Sequence, residues 1–145
     1  MIQKVSKASV EINTAEISRI KEGLVIFVCA IENDNESICQ KLAKKILNLR
    51  IFEDSNGKLN KSLIDVEGHA LVISQFTLAA DLKGGNRPSF SRAAPTHQAN
   101  ILIEKLVQIF KKSPIYTTTG KFGSNMKVNL TNNGPITVWL NTEDF

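Results

Sequence analysis

The stretch ALVISQFTL, residues 70–78, joins an apolar strand to a group of small polar side chains. Residues 70–73 are aliphatic, and Ser74, Gln75 and Thr77 follow them directly. We predict a strand over 70–78, because apolar and β-branched residues are enriched in strands. The end of this strand would place hydroxyl and amide groups, together with backbone, where they can face a ligand.

A second segment, NGPIT at residues 133–137, has the same character. We predict that residues 131–134 turn the chain into a strand containing Ile136. Glycine has no Cβ, so Gly134-Pro135 would present carbonyl groups with little steric cover, and a fold can hold an X-Pro bond cis. An ordinary tight turn that opens an edge strand is the alternative.

The pattern outside these segments alternates between strands and two helices. We predict a strand pair with a turn at Asn13-Thr14, a buried strand over 24–31, a type I′ hairpin at Asn56-Gly57 and a strand over 63–66. Ile38, Leu42, Ile46 and Leu49 predict one helix, capped by Asn33 or Asp34; Ala99, Leu102, Ile103, Leu106 and Phe110 predict a second helix capped by Thr96.

These elements predict one α+β domain spanning residues 1–145, with a mixed, largely antiparallel, curved or barrel-like sheet and two helices packed outside it. Residues 79–95 form a long loop containing Phe90, and loops of this length in compact domains are commonly functional. We expect residues 143–145 to form a loose tail.

Composition excludes several classes of protein. The longest apolar run, residues 24–31, is too short to span a membrane, and no leader precedes the patterned sequence, so we expect a cytoplasmic protein. The two cysteines and two histidines form no ligand-spaced cluster, so we expect neither metal nor cofactor. The net charge of +4 is compatible with a polyanionic partner but does not identify one.

No conventional catalytic group is evident. Thr77 could be a nucleophile, but a threonine hydroxyl needs activation and no neighbouring side chain supplies a base. The alternative for Thr77 is a residue with high strand propensity at a strand end.

Ordered landmarks along the whole chain resemble the D-aminoacyl-tRNA deacylase family. They are Gln3-Lys4-Val5, Ala8-Ser9-Val10, Arg50-Ile51-Phe52, Gly57-Lys58, Ser74-Gln75-Phe76-Thr77-Leu78, Arg87-Pro88-Ser89-Phe90-Ser91, Thr119-Gly120-Lys121-Phe122-Gly123, Met126 with Val128, and Asn133-Gly134-Pro135-Ile136-Thr137.

The resemblance implies an enzyme that hydrolyses D-aminoacyl-tRNA, and glycyl-tRNA as well, while it spares L-aminoacyl-tRNA. It implies a homodimer with active sites at the subunit interface, where a cis Gly134-Pro135 from one subunit enters the pocket of the other. Rejection of L-residues by these carbonyls would then set the selectivity.

The resemblance also implies roles for individual residues. The catalytic segment would be Ser74, Gln75, Phe76 and Thr77, which would hold the aminoacylated 3′ end of tRNA. Phe122, Met126, Phe90 and Asn133 would contact the substrate. Lys4 stands where the family more often has arginine, and it would brace the Gly134-Pro135 carbonyls with less geometric precision than a guanidinium.

Two other functions stay open on the sequence. One is a non-catalytic tRNA-end binding module that uses Phe90 and the basic residues of its loop, Lys83, Arg87 and Arg92, which are the better candidates for phosphate contact. The other is a general esterase that uses Thr77 as its nucleophile.

Overall fold

A computed structural model of the chain describes residues 1–145 in full. Its regular elements are β1 (Ile2–Ile12), β2 (Ala15–Ile20), β3 (Gly23–Val28), α1 (Glu36–Leu47), β4 (Phe52–Glu53), β5 (Leu59–Lys61), β6 (His69–Ser74), α2 (Thr96–Lys111), β7 (Thr117–Thr119) and β8 (Lys127–Val138).

The main sheet is mixed, as predicted. Its strand order is β2-β1-β3-β6-β7, and β8 also pairs with β1. Strand β1 pairs antiparallel with β2, β3 and β8, whereas β3, β6 and β7 run parallel to one another. The carboxyl ends of β6 and β7 therefore lie at the same edge of the sheet.

The sheet curves until its two ends meet. Ser18 Oγ on β2 lies 3.0 Å from Thr118 Oγ1 on β7, although these strands are at opposite ends of the strand order. The curved sheet encloses an apolar cluster that includes Val5, Val25 and Leu71. This closure confirms the barrel-like sheet of the predicted α+β fold.

Both helices pack on the outer face of this sheet. Along β3, Val25 and Phe27 belong to the enclosed cluster, while Leu24 and Ile26 belong to a larger cluster that contains helix residues such as Ala43 and Leu106. Period-two alternation explains the division, since successive side chains of a strand point to opposite faces. The strand is therefore buried on both sides, as its continuous apolar sequence predicts.

The predicted helix starts were wrong by one or two residues. Helix α1 is capped by Asn35, whose Oδ1 accepts hydrogen bonds from the amides of Ser37 (3.0 Å) and Ile38 (3.3 Å). Asp34 instead accepts from the Ile31 amide at 2.8 Å, so it closes the preceding turn. Helix α2 begins after Pro95, and Thr96 is its first residue rather than its cap.

Two predictions between α1 and β6 also fail in detail. The hairpin at 56–57 exists, but only Gly57 has positive φ, because Asp54 Oδ1 accepts from the amides of Asn56 (2.8 Å) and Lys58 (3.1 Å). Residues 63–66 form turns rather than a strand. There Asp65 Oδ2 accepts from the Ser62 amide at 2.8 Å, a local bond that competes with strand pairing.

The C-terminus is not the loose tail that we expected. Thr142–Asp144 form a short 3₁₀ turn, and the ring of Phe145 lies beneath the ammonium groups of Lys41 and Lys45, at 5.3 and 4.9 Å from the ring centroid. Cation–π contacts with α1 therefore hold the last residue against the fold.

Candidate active site

Strand β6 ends at Ser74, four residues before the predicted end. The chain then forms a 3₁₀ turn over Phe76–Ala79, so Phe76 and Thr77 do not point to opposite faces of a strand. The Gln75 amide still donates to the carbonyl of Val28 at 2.8 Å, which fixes the start of the turn against β3. A 3₁₀ turn bonds each amide to the carbonyl three residues earlier, so the amides of Phe76 and Thr77 have no acceptor within it.

The Thr77 hydroxyl lies on the surface without a base. Its only side-chain partner is Gln75, whose Nε2 donates to Thr77 Oγ1. Neither histidine contacts it: His69 Nδ1 accepts from the Lys21 amide, and His97 lies at the start of α2. Since an amide N–H cannot accept a proton, the hydroxyl is held in place but is not activated.

The long loop returns to this turn through Phe90. The Asp81 and Ser89 backbones exchange two hydrogen bonds of 2.8 and 2.9 Å, which double the loop back on itself. The ring of Phe90 then meets the ring of Phe76 edge to face, with 5.0 Å between their centroids. Phe76 remains 58% exposed, so the pair forms an aromatic surface beside Thr77.

A cleft of about 300 Å³ opens next to Ser74, at the carboxyl ends of β6 and β7. Ser74 and Phe122 line one side, and the other side is formed by α2. Four polar residues of α2 that were not predicted as site residues line the cleft: Asn100, Glu104, Gln108 and Lys111. Their spacing was visible in the sequence, but any solvated helix face has such a pattern.

Met126 lies behind the loop that carries Phe122. A Cβ placed on Gly120 would be 2.5 Å from Met126 Sδ, so the two residues are in close contact. Gly120 itself lines the cleft, and Met126 packs against the enclosed apolar cluster. Two of the residues expected to contact the substrate, Phe122 and Met126, therefore lie in this loop and against it, respectively.

The segment containing Asn133, Gly134 and Pro135 is an outward bulge within β8, not a turn between two strands. Gln3 pairs with Thr137 and Val5 pairs with Asn132, so four residues of β8 stand opposite Lys4 alone. Asn132 closes the bulge: its Oδ1 accepts from the Ile136 amide at 3.0 Å, and its Nδ2 donates to Thr137 Oγ1 at 2.9 Å.

The tip of the bulge is exposed and separate from the cleft. Residues 133–135 are all exposed, Gly134 has a φ of +125°, and the Gly134-Pro135 peptide is cis. Neither Gly134 nor Pro135 lines the cleft beside Ser74. A single chain therefore does not bring the two signature segments together.

Lys4 lies beneath the bulge and is 5% exposed. Its Nζ is 5.5 Å from the centroid of the Phe52 ring, and it forms no ion pair. No hydrogen bond joins it to the Gly134 or Pro135 carbonyl. The burial of Lys4 and its position opposite the bulge are consistent with a role in supporting the bulge. A contact between Lys4 and the Gly134 and Pro135 carbonyls stays a prediction.

Cys29 lies between the turn that carries Phe76 and a second cavity. It is half-buried, and its Sγ lies 3.6 Å from the carbonyl oxygen of Phe76. It lines this cavity of about 340 Å³, which is largely apolar and includes Leu78 and Trp139. Burial raises the pKa of the Cys29 thiol, so it is held in its unreactive form.

The chain contains no group of three or more His, Cys, Asp or Glu side chains placed to hold a metal ion. None of its helices has the length and apolar character that crossing a membrane requires.

Comparison with known proteins places the chain among close relatives. The model of the family described as D-Tyr-tRNA(Tyr) deacylase matches residues 1–141. A D-aminoacyl-tRNA deacylase of Jannaschia sp. (strain CCS1) is 46% identical over 142 residues, covering 98% of this chain and 97% of the relative. One from Cereibacter sphaeroides (strain KD131 / KCTC 12085) is 47% identical over 140 residues, covering 97% of each.

Solved structures agree with the sequence relatives. A structure described as c-Myc DNA Unwinding Element Binding Protein superposes with a TM-score of 0.88 at 37% identity, covering 94% of this chain and 93% of the other. A probable eukaryotic D-amino acid tRNA deacylase superposes with a TM-score of 0.79 at 14% identity, covering 92% and 93%, which shows the shared fold.

Proposed function

This chain belongs to the D-Tyr-tRNA(Tyr) deacylase family of ester hydrolases, and we propose that it selects D- from L-aminoacyl-tRNA with the main chain of Gly134-Pro135. It is a D-aminoacyl-tRNA deacylase, so the bond it cleaves joins the amino acid to the tRNA. The products are the free amino acid and tRNA. We include glycyl-tRNA among its substrates, because glycine has no side chain for the enzyme to reject.

One observation supports this proposal most: the bulge and the cleft lie apart in a single chain. Gly134 and Pro135 are exposed at the tip of a bulge, and neither residue lines the cleft beside Ser74. A second copy of the chain would bring them together. In a twofold dimer each subunit gives its bulge to the other's cleft, so both sites are completed by the same contact.

Selectivity then comes from exclusion. The carbonyls of Gly134 and Pro135 would occupy the direction that the side chain of an L-amino acid takes from its α-carbon, and they would accept hydrogen bonds from the α-ammonium group. Asn133 extends the same surface toward the substrate. Lys4 would support the bulge from its buried side, and many different D-residues would be accepted.

The catalytic step relies on position rather than on a charged side chain. Ser74 and Gln75 would line the pocket for the terminal adenosine and its ester, with Phe122 and Met126 forming its wall. Phe76 and Phe90 provide an aromatic surface on which a base of a single-stranded RNA end can stack. The amides of Phe76 and Thr77, without acceptors in their own turn, would stabilise the oxyanion as water attacks the ester carbonyl. The ribose 2′-hydroxyl of the substrate would assist.

In this proposal a single domain, residues 1–145, acts on tRNA and uses no cofactor. We expect it to act in the cytoplasm, where aminoacyl-tRNA is made and used.

The test uses paired D-tyrosyl-tRNA and L-tyrosyl-tRNA. We expect the D-ester to be hydrolysed at least about a hundredfold faster than the L-ester. A tRNA-end binding module would bind both and cleave neither. A general esterase would cleave both, together with simple esters.

Mixed dimers test the shared site. Gly134→Ala and Phe76→Ala chains are each assayed alone, then mixed under conditions in which subunits exchange. We expect about a quarter of the sites in the mixture to regain selective hydrolysis of D-tyrosyl-tRNA, because half of the dimers combine one intact cleft with one intact bulge. If the mixture is no more selective than its two components, each chain holds a complete site.

A further inference from the structure

We propose that Lys111, at the end of α2, binds a phosphodiester group of the tRNA strand that leads into the cleft, with Lys121 as a second contact. This inference rests on the proposed function and names the surface that holds the RNA backbone. It differs from the sequence expectation, which placed phosphate contacts in the loop of Lys83, Arg87 and Arg92.

Lys111 is part of the cleft, not a remote surface residue. It lines the cleft with Ser74 and Phe122, and Lys121 lies between two other lining residues, Gly120 and Phe122. A nucleotide that reaches Ser74 past Phe122 therefore passes the Lys111 side chain, and Lys121 is the chain neighbour of Phe122. Arg92, by contrast, lines the other cavity.

The cleft has opposite charges at its two ends. Asn100 Nδ2 donates to Glu104 Oε1 at 3.0 Å, so an amide and a carboxylate stand together toward the start of α2. Lys111 lies seven residues further along, a rise of about 10 Å at 1.5 Å per residue. A polyanion is repelled at Glu104 and attracted at Lys111, so the strand enters from the Lys111 end.

Both lysines are free to bind phosphate. The two ion pairs of the chain are Arg19 with Glu16 and Lys105 with Glu36, and neither involves Lys111 or Lys121. Both are exposed. Because neither ammonium group is paired with a carboxylate, phosphate binding breaks no ion pair. Each contact between an ammonium and a phosphate also releases counterions condensed on the RNA, which favours binding.

A structural role for Lys111 must be separated from this one. Lys111 lies in the last turn of α2, where a cation also offsets the helix dipole. Lys44 also lies in the last turn of its helix, α1, is exposed, and lies outside the cleft. Lys44→Ala is therefore the matched control for Lys111→Ala.

The first measurement is binding of uncharged tRNA, followed by fluorescence anisotropy between 50 and 200 mM salt. We expect Lys111→Ala to weaken binding about five- to tenfold at the lowest salt and to reduce the slope of log K against log salt by about 0.7. Lys121→Ala should act in the same direction, Lys111→Arg should restore affinity, and Lys44→Ala should match the native chain. Equal losses in Lys111→Ala and Lys44→Ala, or none in Lys111→Ala, would overturn the proposal.

The second measurement compares hydrolysis of D-tyrosyl-tRNA with that of 3′-(D-tyrosyl)adenosine, which has no phosphates. For Lys111→Ala we expect the ratio of kcat/KM on tRNA to kcat/KM on the adenosine ester to fall about five- to tenfold. An unchanged ratio means that Lys111 acts elsewhere and overturns the inference. If the native chain cleaves neither ester, the proposed function fails, while the binding measurement still decides the role of Lys111.

Discussion

The ring of Phe90 meets the ring of Phe76 edge to face, 5.0 Å from centroid to centroid, although a long loop separates the two residues. This contact joins the loop to the turn that carries Thr77. Aromatic pairs of this geometry contribute about 0.5–1.5 kcal/mol. The contact therefore stabilises the observed position of the turn by a modest amount.

Removing the Phe90 ring should therefore impair substrate positioning. We expect Phe90→Ala to lower kcat/KM on D-tyrosyl-tRNA about two- to tenfold, the range that the energy of an aromatic pair implies. Leu82→Ala is the control, because Leu82 is an apolar residue of the same loop that is 60% exposed. A Phe90→Ala enzyme as active as the Leu82→Ala enzyme would show that the ring contact has no part in catalysis.

Gly134→Ala should damage discrimination between D- and L-esters. A Cβ at this position would lie 2.8 Å from Ile136 Cγ1, and the φ of +125° is one that L-residues rarely adopt. The tip of the bulge must then shift, and we expect the ratio of D- to L-tyrosyl-tRNA hydrolysis to fall at least about tenfold.

Gly85→Ala is the matched control for that experiment. Gly85 has a φ of +117°, but a Cβ there would meet nothing within 4 Å. Alanine at position 85 would have the same kind of unfavourable positive φ as alanine at position 134, but it would lie outside the bulge. Equal ratios in the two variants would exclude a specific role for the 134–135 main chain.

Thr77→Ala should remain an active enzyme with a moderately reduced rate. The hydroxyl accepts a hydrogen bond from Gln75 and has no base, so its loss removes about 1 kcal/mol of positioning, or about fivefold in rate. Loss of a true nucleophile would cost about 10⁴-fold or more. Single-turnover hydrolysis of D-tyrosyl-tRNA distinguishes the two, and the larger loss would favour the esterase mechanism.

Lys4→Arg should sharpen the rejection of L-esters. The buried ammonium of Lys4 lies over the Phe52 ring, and a planar guanidinium can donate two parallel hydrogen bonds toward the bulge from the same place. We expect slower hydrolysis of L-tyrosyl-tRNA with little change for the D-ester. An unchanged L-rate would show that the lysine already supports the bulge as well as arginine does.

Stability should fall below about pH 6.5 through His69. Burial, and then the Lys21 ammonium, lower the pKa of His69 in the folded protein. The unfolded chain therefore binds more protons on this residue than the folded one as the pH drops through the ordinary imidazole pKa, so protonation favours unfolding. The contribution of neutral His69 to the free energy of unfolding is therefore complete above the ordinary imidazole pKa and decreases as the pH falls below it.

Urea midpoints at pH 7.5 and pH 5.0 measure this effect. We expect a smaller drop in His69→Asn than in the native chain, because asparagine keeps an acceptor for the Lys21 amide and does not titrate. The control is His97→Asn at the exposed other histidine. Identical drops in the native and His69→Asn proteins would remove His69 as the source.

Long apolar patterns correctly predicted strands and helices, whereas the short pattern over residues 63–66 did not. The apolar runs before Ser74 and through Phe27 predicted buried strands, and the spacing of Leu102, Leu106 and Phe110 predicted α2. Burial of one face repeats along an element with a fixed period, so the spacing of apolar residues in the sequence reveals it. The same reasoning failed at ends, as at Asn35 and Ser74, where one or two local hydrogen bonds decide where an element begins or stops.

The tertiary structure alone decided how distant segments combine. Residues 133–136 have the composition of a turn, yet they bulge from a continuous strand because β1 pairs with β8 on both sides of them. Lys111 reaches the cleft because α2 packs beside the carboxyl ends of β6 and β7, whereas its spacing matches any solvated helix face. Local sequence sets which conformations a segment prefers, but strand register and helix packing arise from contacts between residues far apart in the chain, which no local pattern encodes.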